Sequence, residues 1–213
     1  MTSQETTRVR MLTAMAGMTA VLGVTFGTGA APAVAAPAIS GHGAGAAGKL
    51  TCAGQGIDTT APVISTGEIL IHAPLSTVYD LQTDINHWTA WRPDVDSAQR
   101  LDHGRLRAGS SFRWETGGLT VASTLTAVKP NRCTAWGGPA AGIQGEHVWT
   151  YTRVKGGTLV RTAESWSGAP VEADVPGAQA ILDGSLAQWR QDLKTTAEAR
   201  TPHHHGPKLP GRA

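Results

Sequence analysis

EHVWTYTRVKGGTLVRTAESW, residues 146–166, reads as two strands joined at Gly156-Gly157. Side chains alternate across a strand with period two, and a two-residue turn fixes which residues meet. If Lys155 pairs with Thr158, Trp149 faces Glu164 and His147 faces Trp166, and His147, Trp149, Tyr151, Thr162, Glu164 and Trp166 share one face. That face is too aromatic for open solvent and too polar for an ordinary dry core. It reads as the wall of a binding space.

The strands before this hairpin extend the same face. A Gly117-Gly118 turn aligns Phe112, Trp114 and Thr116 with Leu119, Val121, Ser123 and Leu125, and the turn KPNR then aligns Leu125 with Trp136. The opposite face shows Arg113, Glu115, Thr124 and Thr126, so the apolar set turns inward and Phe112, Trp114 and Trp136 join the hairpin's wall. Upstream, VISTGEILIHA reads as a first strand and Pro74 opens a helix through Val78 and Leu81. DINHWTAWRPDV reads as a second short helix or turn stopped by Pro93, with Trp88 and Trp91 at the mouth of the space, or Trp88 simply a packing anchor. Downstream, Ala178, Ile181, Leu182, Ser185, Leu186, Trp189 and Leu193 recur at helical spacing, which predicts a long amphipathic C-terminal helix. One layout covers so much apolar sheet: an α+β domain in which a curved antiparallel sheet of about seven strands wraps that helix.

The stretch APLSTVYDLQTDINHWTAWRPDV, residues 73–95, resembles the opening of START-like, SRPBCC-type proteins of the polyketide cyclase/dehydrase group, and GEHVWTYTRVKGGTLVRTAESWSG looks like their last hairpin. The likeness runs over about residues 63 to 200. It implies a helix-grip fold with a deep, largely apolar cavity for a small hydrophobic ligand. Members of the group include lipid carriers, hormone and polyketide binders, and aromatase/cyclases. The resemblance brings no invariant catalytic set that can be moved onto this chain.

Among inward positions only His147 and Glu164 ionise, and they lie diagonally across the hairpin within reach of one another. A buried carboxylate without a partner is costly, so Glu164 is expected to be protonated, to pair with His147 or to reach water. As a catalytic pair they would enolise a keto group by general base catalysis; the alternative is a structural pair or a polar anchor for a ligand oxygen. The tryptophans likewise have two readings, filling the core or leaving ring faces open to a flat ligand. His203, His204 and His205 form a tract in a Pro- and Gly-rich tail without the fixed geometry of a zinc site, so no metal site is expected. Phosphate-loop, dinucleotide and serine-hydrolase signatures are absent, and no cofactor is expected.

A chain of 213 residues accommodates one good-sized domain plus tails. Its formal charge is +2 with scattered basic residues, which points away from a nucleic-acid partner. Residues 1–36 carry Arg8 and Arg10, a long uncharged stretch and APAVAA, the pattern of a secretory signal peptide with no stable membrane span once it is cleaved. Residues 37–61 are Gly- and Ala-rich and read as a flexible leader, 62–200 as the START-like domain, and 201–213 as a disordered tail. In an oxidising compartment Cys52 and Cys133 read as one disulfide or as two buried thiols. The sequence thus supports a secreted or envelope-associated protein that binds a hydrophobic small molecule or lipid, or else a cyclase/dehydratase using His147 and Glu164. The sequence does not fix the oligomeric state.

Overall fold

The structure, a computed structural model, describes residues 50–201. The expected signal peptide, the leader up to residue 49 and the tail from residue 202 lie outside the described residues.

Closely spaced turns divide the chain into β1 (Val63–Ile71), α1 (Leu75–Thr83), a 3-10 helix (Ile85–Ala90), β2 (Val95–Arg100), β3 (Ser111–Thr116), β4 (Leu119–Lys129), β5 (Cys133–Ala140), β6 (Ile143–Val154), β7 (Gly157–Ser167), α2 (Ala169–Ala173) and α3 (Val175–Ala199). The strands form one antiparallel sheet in the order β1-β7-β6-β5-β4-β3-β2. This is the expected α+β helix-grip architecture. The short helix α2 was not legible in the sequence.

Two hairpins follow the expected register. Thr116 pairs with Leu119 and Trp114 with Val121, and Leu125 pairs with Trp136. The third is corrected by two residues: Val154 pairs with Gly157, and the turn is Lys155-Gly156. Gly157 is taken up elsewhere, because a Cβ there would strike the Ile71 carbonyl where the end of β1 passes over it. A shift of two leaves every side chain on its face. It brings His147 directly opposite Glu164, and Trp149 opposite Thr162.

The concave face is closed by α3. Asp174 caps that helix, its Oδ1 accepting the Gly177 N–H at 3.0 Å. The stripe that meets the sheet is Leu182, Leu186, Trp189, Leu193 and Ala197, each leucine worth about 1.5–3 kcal/mol of burial. Ile181, expected on this stripe, is 55% exposed, because the buried seam is narrower than the apolar pattern.

The convex face is partly covered as well. A bulge between Leu125 and Ala127 sends Leu125 inward and Ala127 outward, into a small cluster with Ala135, Val148 and Ala163. Residues 50–61 lie over that cluster: Cys52 is buried in it and bonded to Cys133, with Cα atoms 5.4 Å apart. The Asp58 backbone N–H donates to Ser165 Oγ at 3.1 Å, and Leu50 and Ile57 pack against the cluster. This part of the Gly/Ala-rich leader is therefore a strap on the sheet, held by the cysteine pairing that the sequence left open.

Candidate functional site

The inward alternation gathers most of the expected side chains in one place, with Trp189 of α3 at the centre. Its ring centroid lies 5.2 Å from Trp88, 5.8 Å from Trp114, 6.1 Å from Trp136, 5.4 Å from Trp149 and 5.3 Å from His147. Phe112 stands edge-on to Trp88 at 5.5 Å, and Tyr151 edge-on to Tyr79 at 5.4 Å. Such offset and edge-on pairs are the favoured aromatic geometry. Trp88, read from the sequence as a guard of the mouth or a packing anchor, is the anchor: it sits inside the cluster and donates its Nε1–H to the Gln82 carbonyl at 3.0 Å. Trp91 is also buried, while Trp166 is only partly so and packs with Val63, Val171 and Leu182 at the other end of the helix. The rings leave little room: the space beneath Leu106, between Gln82, Phe112, Thr134 and Trp136, holds about 10 Å³, the room of one water.

His147 and Glu164 meet inside this cluster, His147 Nδ1 lying 3.1 Å from Glu164 Oε2. The Thr162 hydroxyl donates to the Val148 carbonyl at 2.9 Å, so its oxygen accepts from His147 Nε2, 2.8 Å away. The hydrogen-bond network thereby assigns the imidazole proton to Nε2 and turns the Nδ1 lone pair toward Glu164. Burial pushes Glu164 up to about 7, with the Trp166 N–H at 2.8 Å and the charge of Arg92 pulling the other way. Burial, then the charges of Arg92 and Arg190, hold His147 well below the ordinary imidazole range. Below neutral pH the contact is thus a carboxylic acid donating to a neutral imidazole rather than an ion pair. Burial also raises the Tyr151 phenol.

Arg92 was missed by the sequence reading. It is 1% exposed, and its guanidinium carbon stands 3.4 Å over the Trp189 ring, a desolvated cation–π contact. Asp94 takes Nε at 3.2 Å and Nη2 at 2.5 Å, and Nη1 is buried without an acceptor. The Trp149 Nε1, Gln82 Nε2 and Arg190 Nη1 atoms are buried and unpartnered too, although Gln82 Oε1 accepts the Trp189 Nε1–H at 3.0 Å. No pattern marks Arg92 in the sequence, where it stands between Trp91 and Pro93 in a turn. The interior can bind through apolar contact, offer hydrogen-bond donors and hold one proton between Glu164 and His147. Among the described residues, no three His, Cys, Asp or Glu side chains gather as a metal site.

A family model described as polyketide cyclase / dehydrase and lipid transport matches residues 62–198. Solved structures share the fold. One is a START superfamily protein from Mycobacterium smegmatis, 14% identical, with a TM-score of 0.57 over 65% of this chain and 99% of that one. Another is the Zhui aromatase/cyclase from Streptomyces sp. R1128, 17% identical, with a TM-score of 0.57 over 67% of this chain and 98% of that one. A third is the di-domain ARO/CYC StfQ from the steffimycin biosynthetic pathway, 15% identical, with a TM-score of 0.54 over 65% of this chain and 52% of that one. No curated protein matches the sequence.

Proposed function

Because the chain belongs to the polyketide cyclase / dehydrase and lipid transport family, we propose that it is an exported, cofactor-free protein that binds a hydrophobic small molecule or lipid between the sheet and α3. The observation that carries this reading is the set of unpaired polar atoms inside the aromatic cluster. A core built for stability alone pairs its buried donors, since each unpaired one costs about 1–3 kcal/mol. Arg92 Nη1, Trp149 Nε1 and Gln82 Nε2 are buried there without acceptors. A ligand that displaces part of the tryptophan cluster would supply them, while the rings supply apolar contact area.

The ligand has to make its own space, because the rings touch one another. The 3-10 helix and the segment between β2 and β3, which carries Leu106 over the small void, are the elements whose displacement would admit it. Export is supported by the signal-like residues 1–36 and by the Cys52–Cys133 bridge, which persists in oxidising compartments. No helix of the described residues is long and apolar enough to cross a membrane.

Mass spectrometry of an organic extract of the protein, purified from its host's culture medium, tests the reading. A stoichiometric lipid or aromatic metabolite is the expected result. An empty extract, together with an apolar dye that neither brightens nor quenches tryptophan emission, would overturn it.

A second reading is favoured by one observation, the proton held between Glu164 and His147. A carboxyl near pKa 7 beside a neutral imidazole is suited to acid–base work on a carbonyl substrate, as in a cyclase or dehydratase. Turnover that His147→Ala abolishes while ligand binding persists would establish it; equal turnover in the variant would dismiss it.

A further inference from the structure

Resting on the ligand reading above, we propose that the ligand carries an uncharged oxygen, a hydroxyl or a ketone, received in the small void under Leu106 by Gln82 Nε2 and Thr134 Oγ1. The void holds about 10 Å³, room for a single oxygen. Gln82 reaches its wall from α1 and Thr134 from β5. Both residues are 1% exposed, and neither Gln82 Nε2 nor Thr134 Oγ1 has a hydrogen-bond partner among the described residues.

Local bonds fix which polar atoms remain for a ligand. An indole N–H can only donate, so the Gln82 atom that Trp189 Nε1 meets at 3.0 Å is the carbonyl oxygen. Trp189 does not line the void, so the oxygen end of the amide turns away from it and the Nε2 end is left on its side. Thr83, also on the wall, donates its hydroxyl to the Tyr79 carbonyl at 2.8 Å. Thr134 pairs with Trp149 and stands two residues before Trp136, so it shares their inward face, and Oγ1 is its one side-chain polar atom.

Gln82 Nε2 only donates, whereas the Thr134 hydroxyl gives or takes a hydrogen bond. A ketone oxygen would accept from both; a ligand hydroxyl would accept from Gln82 and donate to Thr134. None of the described residues lining the void is ionisable, so a carboxylate or an ammonium there would be buried without a counter-charge. Trp88, Phe112 and Trp136 border the same void, and the apolar remainder of the ligand would lie among their rings. A hydroxylated and a keto ligand share this chemistry, and the experiment separates them.

The test measures binding of two sets of probes to the whole protein at pH 7.5 by calorimetry: heptane, heptan-1-ol and heptan-2-one, and naphthalene, 2-naphthol and 2-tetralone. Thr134→Val keeps the side chain's shape and removes its hydroxyl. The expected result is that this variant loses about five-fold or more in affinity for at least one oxygenated probe, while the hydrocarbon of the same set binds as before, and that Thr134→Ser restores the loss. Loss confined to the alcohols assigns a hydroxyl, and loss confined to the ketones a ketone. A merely structural threonine would move hydrocarbon and oxygenated probes alike. That outcome, or no change for any probe, would overturn the oxygen assignment and leave the ligand reading standing; joined to a lower melting temperature of Thr134→Val, it would mean that the void serves a structural water only. Binding of none of the probes to the unmodified protein would overturn both.

Discussion

Replacing Glu164 by Gln should make the protein's stability fall with decreasing pH in a window where the pair itself adds no slope. The unfolded reference values are 4.5 for Glu164 and 6.5 for His147. Between them, the unfolded chain holds one proton on His147 and none on Glu164. The folded protein also holds one, on Glu164, whose pKa is raised to about 7, and none on His147, whose pKa is depressed. Equal proton counts give no slope. In Glu164→Gln only the depressed imidazole remains, so folded-state stability is present above pH 6.5 and lost as pH falls below it. The loss has a limiting slope of about 1.4 kcal/mol per pH unit. His147→Gln should show the opposite sign. The raised carboxyl then contributes fully below pH 4.5 and loses about 3 kcal/mol as pH rises to about 7. Urea unfolding followed by tryptophan emission at pH 4.5, 5.5, 6.5 and 7.5 measures both, and subtracting the unmodified protein cancels every other titration. Profiles of both variants that run parallel to the unmodified protein would refute the shared buried proton.

Three further outcomes follow from the packing. Cys52→Ser should cost about 4 kcal/mol, because the bridge closes a loop across 81 positions; an unchanged urea midpoint under oxidising conditions would contradict it. Gly184→Ala should raise the melting temperature, with a gain of about 0.5–1 kcal/mol, since a Cβ there meets nothing within 4 Å in the middle of α3. Trp189→Ala should cost about 3–5 kcal/mol by emptying the centre of the aromatic cluster, read from the same urea midpoints; a loss under 1 kcal/mol would mean that the cluster is not the core.

The sheet was legible because its signals are local. Period-two alternation put Trp114, Trp136, His147, Trp149, Thr162 and Glu164 on the face that α3 covers, and tight turns fixed two registers outright. The third slipped because Gly157 answers to a distant constraint, the approach of β1, that adjacent residues do not encode. For the same reason the sequence reading set His147 diagonal to Glu164 rather than opposite it. The strap was obscured by composition: few large apolar groups lie in residues 50–61, and its hold comes from Cys52, Leu50, Ile57 and one backbone bond to Ser165. Arg92 was hidden because burial of a turn cation depends on Trp189, almost a hundred residues away in sequence, and on a local partner, Asp94. Chemistry assembled from one hairpin could be read from the chain, and chemistry assembled across the domain could not.

The Cys52–Cys133 bridge also sets a mechanical path. Tension applied at residue 50 against the far end of α3 would leave the strap at Cys52 and pass through the sulfurs into β5, the middle strand of seven. The 80 residues between the cysteines, which include β1 to β4 and the 3-10 helix, would hang from that junction as an unloaded loop. Pulling would therefore be resisted by β5, β6, β7 and α3, and the elements over the tryptophan cluster would stay free to open under load. Reducing the bridge would route the same force through β1 first and tie any stretching of the chain to the interior.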